Sequence, residues 1–320
     1  MTLQPPLYDT ELLALLSALE DDPRKSFVLS ELEVRREGWL GSDIDKVIAG
    51  RPLSHREVTM EGWESAPIVL SIVEHTGRTR PGPGILHTHS GGMMIGTRFS
   101  GIDMIVDWVE RFKGVAVSVE YRLAPEHPDP APIEDCYAAL LHMAEHADEL
   151  LLDRSRLIVA GMSAGGGLAA GLALAARDRN GPALAGQLLM CPMLDERNSS
   201  SSSHQFVGLG LGDRESNDTG WDALLGDRRH TSAVTPYASP SLATDLSGLP
   251  PAFIDVGSME VLRDEGVDYA QRIWTAGGDA ELHVWPGAFH GFDLTFPEAV
   301  LSKRAARTRD EWLERIFSRR

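Results

Sequence analysis

Apolar and polar positions change their period several times along the chain, and the changes divide it. Leu12, Leu15, Leu16 and Leu19 recur at helical spacing and predict a short amphipathic helix over residues 9–19. The next forty residues are charged and weakly patterned, as suits an arm laid on the main body rather than a second independent domain. From about residue 57, apolar runs alternate with stretches of helical period. Strands are predicted over 68–74, 85–88, 115–119, 157–160, 188–190, 252–256 and 281–285, and helices over 99–112, 132–149, 164–178, 264–275 and 297–317. Such alternation implies an α/β fold with a mostly parallel central sheet covered by helices on both faces. Ligands on sheets of this kind bind beyond the carboxyl ends of the strands.

One segment breaks the alternation. Residues 198–226, with the serine run from Ser199 to Ser203, are too long for an ordinary connection. A flexible surface loop is the plain reading. The segment also carries Phe206, Val207, Leu209, Leu211, Trp221, Leu224 and Leu225, which need something to cover, and this predicts an inserted lid. The expected organisation is an N-terminal helical arm or cap over 1–60 and a catalytic domain over 61–320, with a cap insertion around 197–246.

Composition narrows the function. The chain has 320 residues, 42% hydrophobic and 24% charged, enough for one large α/β unit with an added lid. A formal net charge of −17 opposes nucleic-acid binding, because phosphate would be repelled, and disfavours an anionic membrane surface. Cys136 and Cys191, the two cysteines, stand in apolar contexts and are expected to be reduced and buried. Residues 1–20 include Asp9, Glu11 and Glu20 and lack a basic leader before a long apolar core, so a cytoplasmic protein without a membrane span is expected.

The chemistry gathers at strand ends. Leu157-Ile158-Val159-Ala160 runs into Gly161-Met162-Ser163-Ala164-Gly165, a strand-to-helix turn on which Ser163 Oγ would stand exposed. The following helix points its amino end, with free N–H groups, at the same spot. A Gly-rich turn that merely binds phosphate or packs closely is the alternative, so the serine needs partners. The candidate base is His290, on a loop after the last predicted strand, and the candidate acid is Glu260, four residues beyond Val256. Asp255, Asp264 and Glu265 crowd the same segment. Asp255 should lie below the site, inside its strand, while Asp264 and Glu265 are accounted for at a helix N-terminus. His89-Ser90-Gly91-Gly92 follows the 85–88 strand and can offer the Gly91 and Gly92 N–H groups, with that of Ala164, as an oxyanion hole. His87 and His89 share a strand face and would suit a metal, but no third ligand follows at workable spacing.

These segments, in this order, resemble the hormone-sensitive-lipase-like (bacterial family IV) carboxylesterases of the α/β-hydrolase fold. The similarity covers roughly 68–317. His89-Ser90-Gly91-Gly92 is similar to the family's His-Gly-Gly-Gly motif, Tyr121-Arg122-Leu123-Ala124-Pro125-Glu126-His127-Pro128 to its characteristic segment after a strand, Gly161 to Gly166 to its nucleophile elbow, Glu260 to Glu265 to its acid segment, and His290-Gly291-Phe292 to its base segment. Three positions depart from the pattern: Ser90 for the first glycine, Met162 for the usual Asp or Thr, and Glu260 for the commoner Asp. The resemblance implies a Ser163–His290–Glu260 triad, hydrolysis of short- to medium-chain carboxylic esters through an acyl-enzyme without a cofactor or metal, a cap in which the N-terminal arm joins residues near 198–225, and common homodimer formation. Amide or lactone hydrolysis is the near alternative, and a non-catalytic ligand-binding protein the distant one.

Overall fold

Strands whose both faces meet helices have no polar side to keep, and that governs the centre of this molecule. The computed structural model describes residues 4–19, 26–208 and 212–319. Eight strands form one sheet: β1 (Leu53–Glu61), β2 (Pro67–His75), β3 (Gly82–Thr88), β4 (Val115–Glu120), β5 (Leu152–Met162), β6 (Gly186–Met190), β7 (Ala252–Met259) and β8 (Ala280–Phe289). Their spatial order is β1-β2-β4-β3-β5-β6-β7-β8. β2 runs antiparallel to both β1 and β4, and every other neighbouring pair is parallel. All residues of β3 and β6 are buried.

The helices are α1 (Thr10–Ser17), α2 (Leu32–Gly38), α3 (Ile44–Ile48), α4 (Ile102–Phe112), α5 (Ala131–Glu145), α6 (Ala164–Asp178), α7 (Ser201–Gln205), α8 (Arg214–Leu225), α9 (Arg263–Thr275), α10 (Phe292–Thr295) and α11 (Val300–Ser318). Successive strand residues divide between two cores, as a period of two requires. Leu86, Val159, Leu189 and Ile254 face α5, α6 and α9, while Ile85, Ile158, Leu188 and Phe253 face α4 and α11. The seven strands expected from the sequence are all present. β1 went unseen because it is a half-exposed edge strand, with Arg56, Glu57, Thr59 and Glu61 on the outside and no apolar run to mark it.

Residues 198–226 carry two helices, α7 and α8, each with a side-chain N-cap: Ser200 accepts from Ser203 N–H and Asp213 from Ser216 N–H. Phe206, Trp221, Leu224 and Leu225 are buried and join the core on the α6 side, whereas Val207 is half exposed. Leu209 and Leu211 lie outside the described residues. The segment after residue 25 is tied to α8. Ser26 Oγ donates to Asp213 Oδ2 (2.6 Å), Phe27 N–H to Ser216 Oγ (2.7 Å), and Thr219 Oγ1 to the Phe27 carbonyl (3.1 Å). Among the described residues no helix is long and apolar enough to cross a membrane.

Candidate active site

β5 ends at Met162 and α6 begins at Ala164, so Ser163 alone must turn the chain. It does so at φ 56° and ψ −121°, a strained conformation for a residue with a side chain. The glycines on either side are there for closeness. A Cβ on Gly161 would run into the Gly165 carbonyl, and one on Gly165 into the carbonyls of Thr88 and His89. The turn is held by Ser163 N–H to the Met190 carbonyl (2.8 Å) and by Met193 N–H to the Ser163 carbonyl (2.9 Å).

Two further strand ends bring the partners. Glu260 follows β7 directly, and His290 follows β8. Glu260 is sealed from solvent, with Oε1 accepting the Gly257 N–H and Oε2 lying 2.6 Å from His290 Nδ1. A carboxylate can only accept, so Nδ1 carries the ring proton and Nε2 is left bare. Nε2 stands 2.9 Å from Ser163 Oγ. A proton on the serine therefore has a basic nitrogen to go to, and the charge that results has a carboxylate behind it.

The other carboxylates of the segment are engaged elsewhere. Asp255 Oδ2 accepts from Arg309 and from Trp285 Nε1 (3.0 Å), inside its strand as expected. Asp264 accepts from Ser202 N–H (2.7 Å) and from Arg263 Nε (2.7 Å). Glu265 does more than favour a helix N-terminus: it is buried and takes the Leu194 N–H (2.7 Å), and burial pushes its carboxyl well above the usual range. Asp264 and Glu265 do lie in the first turn of α9, as expected, and each also has a hydrogen-bond partner in another chain segment.

Gly91, at φ 126°, lies in the loop after β3, and its carbonyl accepts the N–H groups of both Met94 and Ile95 (3.0 Å each). The next peptide N–H, that of Gly92, must then point the opposite way. Among the described residues the Gly91, Gly92 and Ala164 N–H groups donate to no backbone carbonyl outside regular elements. Ala164 is the first residue of α6, where an N–H has no partner within the helix. Beneath this loop His87 Nδ1 meets Ser118 Oγ (2.8 Å), which itself donates to the Arg98 carbonyl (2.6 Å). His89 Nδ1 donates to the Ser90 carbonyl (2.8 Å), and its ring stacks on Tyr121 at 4.0 Å. Burial lowers His87 to about 3 and His89 to about 4, so both are neutral supports.

Cys191 Sγ, a Glu260 oxygen and a His290 nitrogen lie within 4.8 Å of one another, a spacing that would suit a metal. Their chemistry does not. Both His290 nitrogens are occupied, and burial pushes the Cys191 thiol well above its ordinary value, away from the thiolate a metal needs.

Three contacts above the site had no single-residue signal in the sequence. A Cβ on Gly220 of α8 would stand 2.9 Å from the Gly92 carbonyl, so α8 rests on the glycine loop itself. Gly212 lies against the His290 ring. Arg36 of α2 donates to the Met94 carbonyl (2.9 Å) and the Ala124 carbonyl (3.1 Å), and pairs with both oxygens of Glu126.

Residues 85–294 match a family model described as the alpha/beta hydrolase fold. Carboxylesterase NlhH of Mycobacterium tuberculosis is 40% identical over 229 residues, covering 68% of this chain and 70% of that protein. Carboxylic ester hydrolase LipN of the same organism is 37% identical over 295 residues, covering 85% and 76%. Among solved structures, one titled as a bacterial heroin esterase superposes with a TM-score of 0.89 at 36% identity and covers 98% of each chain.

Proposed function

We infer that this chain is a carboxylic ester hydrolase, on the premise that it belongs to the α/β-hydrolase fold family, in its hormone-sensitive-lipase-like carboxylesterase branch. The observation that carries the mechanism is the unbroken path from Ser163 Oγ to His290 Nε2 (2.9 Å) and from Nδ1 to Glu260 (2.6 Å). Ser163 Oγ attacks the ester carbonyl while His290 takes its proton. The oxyanion forms against the N–H groups of Gly91, Gly92 and Ala164, each donor in such a site being worth about 3 kcal/mol. His290 then returns the proton to the departing alcohol, and water, activated by the same nitrogen, releases the acid from the acyl-enzyme. Glu260 fixes the tautomer and balances the imidazolium. The chemistry requires no metal or cofactor.

The arm and the segment carrying α7 and α8 together act as a cap over the acyl site, supported by the Ser26, Phe27 and Thr219 hydrogen bonds and by the seat of Gly220 on Gly92. A capped site favours short and medium acyl chains over emulsified fats. Two buried free thiols fit a reducing compartment, and we place the protein in the cytoplasm; family membership makes a homodimer the assembly to test.

The test is hydrolysis of chromogenic esters of increasing acyl length beside a matching anilide and a lactone. The expected result is turnover that peaks at short acyl chains, is abolished in Ser163→Ala, and is accompanied by phosphonate labelling of Ser163 alone. Faster cleavage of the anilide or lactone would move the protein to the neighbouring acyl-transfer class. Undiminished turnover in Ser163→Ala would sink the mechanism.

A further inference from the structure

α11 presents Ala305, Arg309, Trp312, Leu313 and Ile316 at helical spacing to the core, and Arg309 is the one charge in that stripe. Its guanidinium is buried (2% exposed) and is shared between the buried Asp255 carboxylate and the mostly covered Asp293 carboxylate. Nε and Nη2 donate to Asp255 Oδ2 (3.0 and 2.6 Å), and Nη1 donates to Asp293 Oδ2.

The two carboxylates come from the two elements that present the base and the acid. Asp255 lies in β7, five residues before Glu260, and its backbone carbonyl accepts the Cys191 N–H (2.7 Å) beside the triad. Asp293 lies in α10, three residues after His290, beyond the left-handed turn at Gly291 (φ 67°). β7 and α10 thus meet at one guanidinium, and Trp285 of β8 joins the cluster by donating to the same Asp255 oxygen. A cavity of about 10 Å³ is lined jointly by Glu260, Gly291, Asp255, Asp293 and Arg309, which makes the ion cluster contiguous with the catalytic acid.

We propose that Arg309 is a positioning residue for the hydrolysis, with Asp255 and Asp293 as its two anchors: it clamps the loop that carries His290 to the strand that delivers Glu260. The inference rests on the triad proposed above. A buried ion cluster gives weak net stability compared with apolar packing of the same volume, so its value here lies in fixed geometry. The planar fork is what reaches two carboxylates at once; an ammonium group has no such fork.

The experiment compares Arg309→Lys, Arg309→Met and Asp293→Asn with Arg307→Met, an exposed arginine one half-turn away on α11. Each protein is first titrated with a phosphonate. An unlabelled wild type means the triad reading is wrong, and this proposal falls with it. With a labelled wild type, Asp293→Asn should fold, show a single melting transition, and lose about 10- to 100-fold in kcat with little change in KM, as a misplaced base would. Arg309→Lys should retain more kcat than Arg309→Met, and Arg307→Met should match the wild type. Should Arg309→Met fail to fold, Asp293→Asn still decides. A folded Asp293→Asn enzyme whose kcat stays within about twofold of the wild type, whatever its melting temperature, reduces Arg309 to a staple of α11 and overturns the proposal.

Discussion

Gly212, just before α8, lies against the His290 ring: a Cβ built there would stand 3.1 Å from His290 Cδ2 and 3.7 Å from Nε2. Its φ of 69° is also one that side chains avoid. Gly212→Ala is therefore expected to cost about 1–2 kcal/mol in stability through the backbone alone. The methyl group also takes space beside the nitrogen that serves the alcohol. KM for a bulky-alcohol ester should rise more than KM for the methyl ester. Equal changes for both esters would mean that Gly212 does not border the alcohol side.

Glu260 is the acid to test against Asp264. Glu260→Gln keeps the size but loses the charge that balances the imidazolium and invites the wrong tautomer, so kcat should fall roughly 100- to 10,000-fold. Glu260→Asp shortens the reach and should retain partial activity. Asp264→Asn, whose partners are Ser202 and Arg263, should keep most of its turnover. A near-normal Glu260→Gln enzyme beside a dead Asp264→Asn enzyme would exchange the two assignments.

The two buried histidines should each contribute a loss of stability in acid. His87 is lowered to about 3 and His89 to about 4, both by burial, while an unfolded histidine titrates near 6.5. Above that value neither state binds the extra proton, and the histidines leave stability unchanged. As pH falls below it the unfolded chain takes up protons that the folded chain refuses. Each histidine then removes up to about 1.4 kcal/mol per pH unit, down to its folded value. The buried Glu265 carboxyl, raised by burial, contributes with the opposite sign, so the histidine share is read by difference: between pH 6.5 and 5 the urea midpoint of His87→Gln should fall less, or rise more, with acid than that of the wild type, by about one histidine's share. An unchanged slope in that variant would place the acid sensitivity elsewhere.

Arg36 ties the arm to the loop after β3 through the Met94 carbonyl and to the segment after β4 through the Ala124 carbonyl, and its side-chain hydrogen bond holds the Glu126 carboxyl down at about 2. Arg36→Met should cost about 1–3 kcal/mol by leaving those carbonyls without a charged donor. It should also raise KM for short esters and speed limited proteolysis within the arm. Glu126→Gln, which spares the carbonyl contacts, should have a much smaller effect on KM. If the two variants behave alike, the exposed ion pair is what holds the arm.

The chain's own pattern determined the α/β architecture, because strands buried on both faces must be apolar runs and the helices between them must repeat near 3.6. It also determined the elbow at Ser163, the positions of Glu260 and His290 at strand ends, and the glycines of the 89–92 loop, since each depends on residues close together in the chain. Tertiary structure decided what depends on distant ones. β1 is half exposed, and pairing with β2 rather than apolarity makes it a strand. Glu265 and Asp264 found partners at Leu194 and Ser202, across the fold. The seat of Gly220 on Gly92 and of Gly212 on His290 joins positions more than 70 residues apart, where no local period records the contact. Arg309 left one faint mark, a charge on an apolar helical stripe. The two carboxylates that account for it, Asp255 and Asp293, reach it only when β7, α10 and α11 pack together.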